Sequence, residues 1–368
     1  MFRILLLNTD YPAFLSWLYR SRPTLALRSY ERQLAARNRS LFGTADFMSH
    51  HLAALGHAAI DVHANNRPLQ EAWMAQQGEG GGLRRLLHRR PLLLPPDEPR
   101  FYDILAAQVR AFRPDIIYNH DISSIPAARL DAIKPSGCRL VAQIAAPLDP
   151  AIEWRYYALV ISSLPNYVAS FERQGIPAAY LPLAFDARVR EHVRTAARDI
   201  GFSFVGSLFP AHAGRRVLLE EVAARSPIEI WGQGAEALPR ASAIRARYRT
   251  SAWGRAMYEV LARSRLSLNK HIDISENYAN NMRLFEATGV GTLLLTDWKE
   301  NLAELFEPEA EVVAYRSAEE CVDLADYYLR HDGERERIAA AGMARCLRDH
   351  SYQLRMMQLT KLLEQRLG

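Results

Sequence analysis

The stretch NMRLFEATGVGTLLLTD, residues 281–297, decides how this chain is read. A helical run carrying one carboxylate, Glu286, ends in two glycines, Gly289 and Gly291. An apolar strand over residues 292–296 follows and stops at Asp297. Helix, glycine turn and strand in that order make one α/β unit. Such a unit can set Glu286 and a row of backbone N–H groups beside a bound nucleotide.

Working outward, the bulk properties bound the answer. The chain has 368 residues, which suggests two domains. At 49% hydrophobic and 24% charged it is ordinary globular material, so each half can bury its own core. No apolar run is long enough to span a bilayer. The start, MFRILLLN, reads as a first buried strand rather than a signal peptide. Cys138, Cys321 and Cys346 are far apart and fit neither a disulfide framework nor a zinc pattern. A soluble, cytoplasmic protein is the expectation. The net charge is +5, with the basic residues scattered. That favours a solvated face or a phosphate site over a nucleic-acid groove and leaves peripheral membrane contact open. Only Lys134, Lys270, Lys299 and Lys361 are lysines.

Both halves alternate strands with helices, which predicts parallel sheets. In the first half, strands are expected at 4–8, 58–62, 115–119, 139–145, 159–162 and 179–183. Helices are expected at 47–55 and 102–112. Residues 65–100 break the rhythm with GEGGG at 78–82 and LLLPPDEP at 92–99. They read as a long, mobile insertion that either shapes a pocket or lies disordered. After a linker at 186–198, strands are expected at 202–205, 228–231, 266–269, 292–296 and 311–315. Helices are expected at 214–225, 257–264, 318–329, 332–349 and 352–367. No short repeat is evident.

In the second half each chemically interesting group follows a strand. Gly206-Ser207-Leu208 follows the first, and a glycine there lets backbone approach a phosphate. Arg215 and Arg216 begin the next helix and can reach a diphosphate; a plain βα turn with two surface arginines is the alternative. Trp231-Gly232-Gln233-Gly234 can border a base pocket, or Trp231 can simply be buried at a strand end. Lys270, next to His271, is a compact charge suited to a leaving diphosphate, unless it is an ordinary surface lysine. Glu286 can accept hydrogen bonds from both ribose hydroxyls. Arg283 sits one turn before it, so an i,i+3 ion pair is the competing explanation.

These residues carry a resemblance. LARSRLSLNKH (261–271), NMRLFEATGVGTLLLTD and residues 311–342 resemble the C-terminal half of group 1 glycosyltransferases. The branch most similar is the spore-maturation-protein-like (CgeB-like) one. RCLRDHSYQLRM at 345–356, AQIAAPL at 142–148 and residues 161–186 resemble it too. The resemblance implies a GT-B fold: α/β, with two Rossmann-like, doubly wound domains facing a central cleft. The acceptor domain would span 1–185, with the helix 352–367 packing back on it. The donor domain would span 186–351. It further implies that Glu286 holds the ribose and that the turn Thr288, Gly289, Val290 and Gly291 faces the donor sugar and diphosphate. Arg215 and Lys270 would hold the diphosphate, and transfer would be retaining and metal-independent. There is no Asp-x-Asp, in keeping with a diphosphate not held through a metal. No cofactor is expected beyond a nucleoside diphosphate sugar as donor substrate.

The chain also departs from that family. Many members carry a second glutamate eight positions upstream; here Tyr278 stands there, and Glu276 is out of register. Asn277, Asn280, Asn281 or the backbone amides near Thr288 are then the candidates to touch the sugar. The loop Thr9-Asp10-Tyr11 lacks the glycine pair of many relatives. On the acceptor side, Asn119-His120-Asp121 follows a strand, and His120 can act as base or hydrogen-bond donor, or as a structural partner of Asp121. Asp10 and Gln143 are further candidates, while His50, His51 and His88 read as surface. The expected activity is sugar transfer to a hydroxyl on a glycan, lipid, natural product or protein. A sugar-nucleotide epimerase and a non-catalytic sugar-nucleotide-binding module are the alternatives.

Overall fold

The computed structural model describes residues 1–78, 91–193, 197–209 and 213–368. The glycines at 79–82, His88 and residues 194–196 of the expected linker lie outside the described residues. The chain forms two compact units. The first comprises Met1–Ser163, Tyr167–Leu181 and Met356–Gly368; the second comprises Leu164–Asn166 and Pro182–Arg355.

The first unit holds six strands: β1 (Arg3–Asn8), β2 (Ala58–His63), β3 (Ile116–Asn119), β4 (Arg139–Gln143), β5 (Leu159–Ser162) and β6 (Ala178–Tyr180). They lie in the order β2-β1-β3-β4-β5-β6, and every pairing is parallel. Parallel strands covered on both faces read as unbroken apolar runs. Ile4, Leu5, Leu6 and Leu7 accordingly have no exposed surface. Full burial of each such side chain is worth about 1.5–3 kcal/mol. The chain runs from β1 outward to β2, then returns to β1's other side as β3. That reversal opens a crevice at the carboxyl ends of β1 and β3.

The second unit holds β7 (Ile200–Val205), β8 (Glu229–Trp231), β9 (Ser264–Leu268), β10 (Leu293–Asp297) and β11 (Val313–Tyr315). Their order is β11-β10-β9-β7-β8, again all parallel. Here the reversal falls between β7 and β9. At the ends of β7 and β8 the backbones touch. A Cβ on Gly232 would stand 1.8 Å from the Gly206 carbonyl oxygen, so no other residue fits at that position.

The stretch read as a mobile insertion is corrected where it is described. Residues Arg67–Gln76 form a helix, N-capped by the Asn66 side chain, which accepts from the Leu69 amide. Asn66 pairs with Leu93 across an isolated antiparallel bridge, and Arg67 donates to Glu98 at 2.9 Å. The glycine and proline runs drew attention away from a ten-residue helix with good apolar spacing. Among the described residues no helix is long and apolar enough to cross a membrane.

Candidate functional site

In the second unit the switch point is bridged by one side chain. Arg215, on the helix Ala213–Arg225, donates to the Ser207 carbonyl after β7 and to the Lys270 carbonyl after β9, each at 3.2 Å. Its Nε is buried without a hydrogen-bond partner among the described residues. Burial, and then the charge of Arg283, pull its pKa below the usual arginine range. Like charges are therefore gathered there. The sequence placed Arg215 and Lys270 near a common ligand, and the structure brings them together.

Asp297 organises the neighbouring strand end. Its Oδ2 pairs with Lys270 Nζ at 2.9 Å and its Oδ1 with His271 Nδ1 at 2.6 Å. Lys299 Nζ stands 3.7 Å from the same carboxylate and donates to the Glu276 carbonyl. Burial alone would raise the Asp297 pKa, but His271 and Lys270 outweigh it and hold it well below the carboxylate range. Asp297 thus stays ionised and fixes the lysine's reach. His271 is itself buried, with Nε2 lacking a partner. Asp297 and His271 were legible as strand-end residues, but nothing in their spacing assigned them a role.

The helix Met282–Gly289 starts at this same edge. Asn281 caps it by accepting from the Leu284 amide at 3.0 Å, and donates to Asn269 at 2.7 Å. Asn269 in turn donates to Thr296 and accepts from Tyr315 through its carbonyl. The helix's positive end is so tied to the ends of β9, β10 and β11. Asn281 is thereby placed at the site as a brace.

Glu286 is buried one turn further in. Arg283 Nη1 lies 2.9 Å from its Oε2, and Tyr258 donates to Oε1 at 3.4 Å. The i,i+3 ion pair therefore forms. Arg283 Nε has no hydrogen-bond partner among the described residues. It is the site cation that sequence reasoning treated only as a rival for Glu286. Four cations, Arg215, Lys270, Arg283 and Lys299, then sit with three carboxylates, Glu286, Asp297 and Asp273. The balance suits a further anion.

Thr288, Gly289, Val290 and Gly291 call for a correction. The helix runs antiparallel to β10, so its glycine end lies at the edge where β10 begins. That is about 13 Å, four strand rises, from the edge where β10 ends. Thr288 donates back to the Leu284 carbonyl, and a Cβ on Gly289 would meet the Phe185 ring at 2.4 Å. Gly291 has a φ of +79°, and its carbonyl accepts from Arg198. These residues turn the chain and pack it, at the opposite edge from Lys270 and Asp297. Trp231 is the buried strand-end tryptophan of the alternative reading, and Gly206 holds the close approach to Gly232.

In the first unit the switch point is occupied differently. His120 Nδ1 lies 2.5 Å from Asn8 Oδ1, across the ends of β1 and β3. The Asn8 amide nitrogen faces the Leu6 carbonyl and Asp61, so its oxygen is left to accept and Nδ1 carries the proton. Nε2 then bears the lone pair, buried and without a partner. Burial pushes the His120 pKa down to about 4, with Gln143 opposing. Such an imidazole is neutral near pH 7 and suits hydrogen bonding better than proton storage.

Asp10 follows β1 and is wholly buried. Arg37 Nη2 pairs with its Oδ1 at 2.7 Å, its amide donates to Asn65, and its Oδ2 has no hydrogen-bond partner among the described residues. Burial opposes ionisation, but Arg37 and His63 keep the carboxyl below its ordinary range. Asn119 is corrected to a structural role: its amide donates to Ile125 and Tyr157, and its oxygen accepts from Asp121. Gln143 accepts from Tyr118 at 2.8 Å. Asp10 and His120 line a cavity of about 560 Å³, whose wall includes Leu93, Pro95 and Pro96 from the stretch expected to be mobile.

Two parallel-sheet α/β units, each with a built switch point, have the fold of the GT-B glycosyltransferases. AviGT4, a glycosyltransferase involved in avilamycin A biosynthesis, superposes with a TM-score of 0.57 at 15% identity, over 100% of this chain and 98% of that one. HepE from Anabaena, solved with UDP-glucose, gives 0.61 at 12% identity, over 99% of this chain and 100% of that one. Sucrose-phosphate synthase from Thermosynechococcus elongatus gives 0.54 at 11% identity, over 99% and 98%. Residues 215–361 match the family described as Glycosyl transferase-like, a span that starts at Arg215 and includes Lys270, Arg283, Glu286 and Asp297. No curated protein matches the chain by sequence.

Proposed function

We propose that the chain is a glycosyltransferase that takes its sugar from a nucleoside diphosphate sugar and passes it to a hydroxyl. The observation that carries this is Arg215 spanning the β7/β9 switch point beside Lys270. Cations fixed at strand ends, with a helix start among them, match the charge that a departing diphosphate develops. In this reading Lys270 and Arg215 stabilise the leaving group, and Arg283 and the helix start hold the diphosphate. Glu286, fixed by Arg283 and Tyr258, takes the ribose.

The reading extends to a retaining, metal-independent transfer of the spore-maturation-protein-like branch, in the cytoplasm. Burial keeps His120 neutral, which suits it to hydrogen bonding rather than to proton abstraction. His120 is then an orienting hydrogen-bond partner for the acceptor. HepE is solved with UDP-glucose, which makes uridine sugars the first donors to try. A thermal-shift screen over UDP-, GDP-, dTDP- and CMP-sugars tests the proposal. It should show a selective upward shift for one nucleotide class. A flat response to all four would overturn it.

A further inference from the structure

The cavity at the β1/β3 switch point has a chemistry of its own. Its floor is polar and buried. Asp10 is 2% exposed and Arg37 is 3% exposed, and both line it. Thr9, Thr44, Asn65 and Ser124 also line the cavity, so hydroxyl and amide groups that donate and accept are offered to a ligand hydroxyl.

The rim is apolar. Tyr11 is 66% exposed, packs edge-on against Phe42 at 5.8 Å, and shares the rim with Pro95 and Pro96. An aromatic left that open beside a polar floor offers a flat face to the C–H side of a ring. The electrostatics narrow the ligand further. Arg37 is the one cation lining the cavity among the described residues, and it is already paired with Asp10. Asp121 adds a carboxylate, held by Thr9 at 2.6 Å. With His120 neutral, the site has no charge to offer a phosphate.

We propose that this cavity binds a neutral saccharide, with one ring stacked on Tyr11 and its hydroxyls on the polar side chains that line the cavity. The volume of about 560 Å³ falls within the range of small-molecule sites and accommodates more than one sugar ring. Naming this saccharide the acceptor rests on the glycosyltransferase reading; its binding does not.

Saturation-transfer NMR on the full chain without nucleotide tests the inference. The probes are methyl hexopyranosides, neutral disaccharides and glucose 6-phosphate. At least one neutral saccharide should bind, and glucose 6-phosphate should bind at least tenfold more weakly. Tyr11→Ala, at an exposed position, should weaken the saccharide about tenfold, with circular dichroism checking that the variant folds. The inference is overturned by silence across all neutral saccharides, by preference for the phosphorylated sugar, or by unchanged binding in Tyr11→Ala. Saccharide binding with no nucleotide-sugar binding would leave this site standing and remove the donor reading. The reverse pattern would remove this site alone.

Discussion

The two units answer the same topological situation with opposite chemistry. Each has a parallel sheet whose strand order reverses, and each sets polar residues at the crevice so formed. In the second unit an arginine bridges the reversal, and Lys270, Arg283 and Lys299 gather round it. In the first, a neutral histidine bonded to Asn8 bridges it, and the nearby arginine is already neutralised by Asp10. Topology decides where a ligand can sit, and the strand-end residues decide which charge it carries. One crevice gathers several cations; the other holds one arginine, already paired with a carboxylate.

The largest effect should come from removing charge at the second crevice. Lys270→Ala is expected to lower kcat about 100-fold or more, the scale seen when a group that stabilises developing negative charge is lost. Arg215→Ala should fall in the same range, because it fixes the carbonyl ends of both strands as well as carrying charge. Single-turnover rates on a donor that shifts the melting temperature would measure both. Rates within threefold of the parent would remove these residues from the chemistry.

Next come the groups that bind rather than react. Arg283→Ala and Glu286→Gln should each raise the donor KM roughly tenfold with a smaller change in kcat, as expected for uniform binding contributions. Because the two side chains form a pair, their double variant should lose less than the sum of the singles. Full additivity would mean that they do not share one ligand.

An effect on stability rather than activity lies beneath the first crevice. Asp61 is buried beside Asn8 and Ser49, and burial pushes its pKa up to about 7, with Ser49 and Arg37 opposing. In the unfolded chain it titrates near 4. Between those values the folded protein holds a proton that the unfolded chain has released. Asp61's contribution is full below about pH 4 and is lost as pH rises through about 7. Asp61→Asn should therefore gain on the parent between pH 5 and pH 8, by at most roughly 3 kcal/mol. Urea midpoints at the two pH values measure it. A gain of equal size at both would show that Asp61 does not titrate between them.

Much of this was legible in the sequence. Apolar runs marked the strands, because parallel strands covered on both faces have no alternation to hide them. Arg215 and Lys270 could be named because each immediately follows a predicted strand or begins the next helix. The glycine turn at 288–291 misled for a physical reason. Glycines mark close approach, and a sequence does not say whether a ligand or a packed phenylalanine is what approaches. Arg283 was missed because i,i+3 pairing explained it fully, and only its unpartnered Nε reveals spare capacity. That residues 91–100 help shape a pocket was one of two open readings, because prolines signal a loop without saying what it packs against.

The central claim is that the second unit's cations hold a diphosphate. Calorimetric titration with a nucleoside diphosphate and the matching monophosphate, on the parent and on Lys270→Ala, tests it most directly. The diphosphate should bind the parent at least about tenfold tighter, a difference of about 1.4 kcal/mol, and the gap should close in the variant. Equal affinity for the two nucleotides in the parent, or an undiminished gap in Lys270→Ala, would contradict the account.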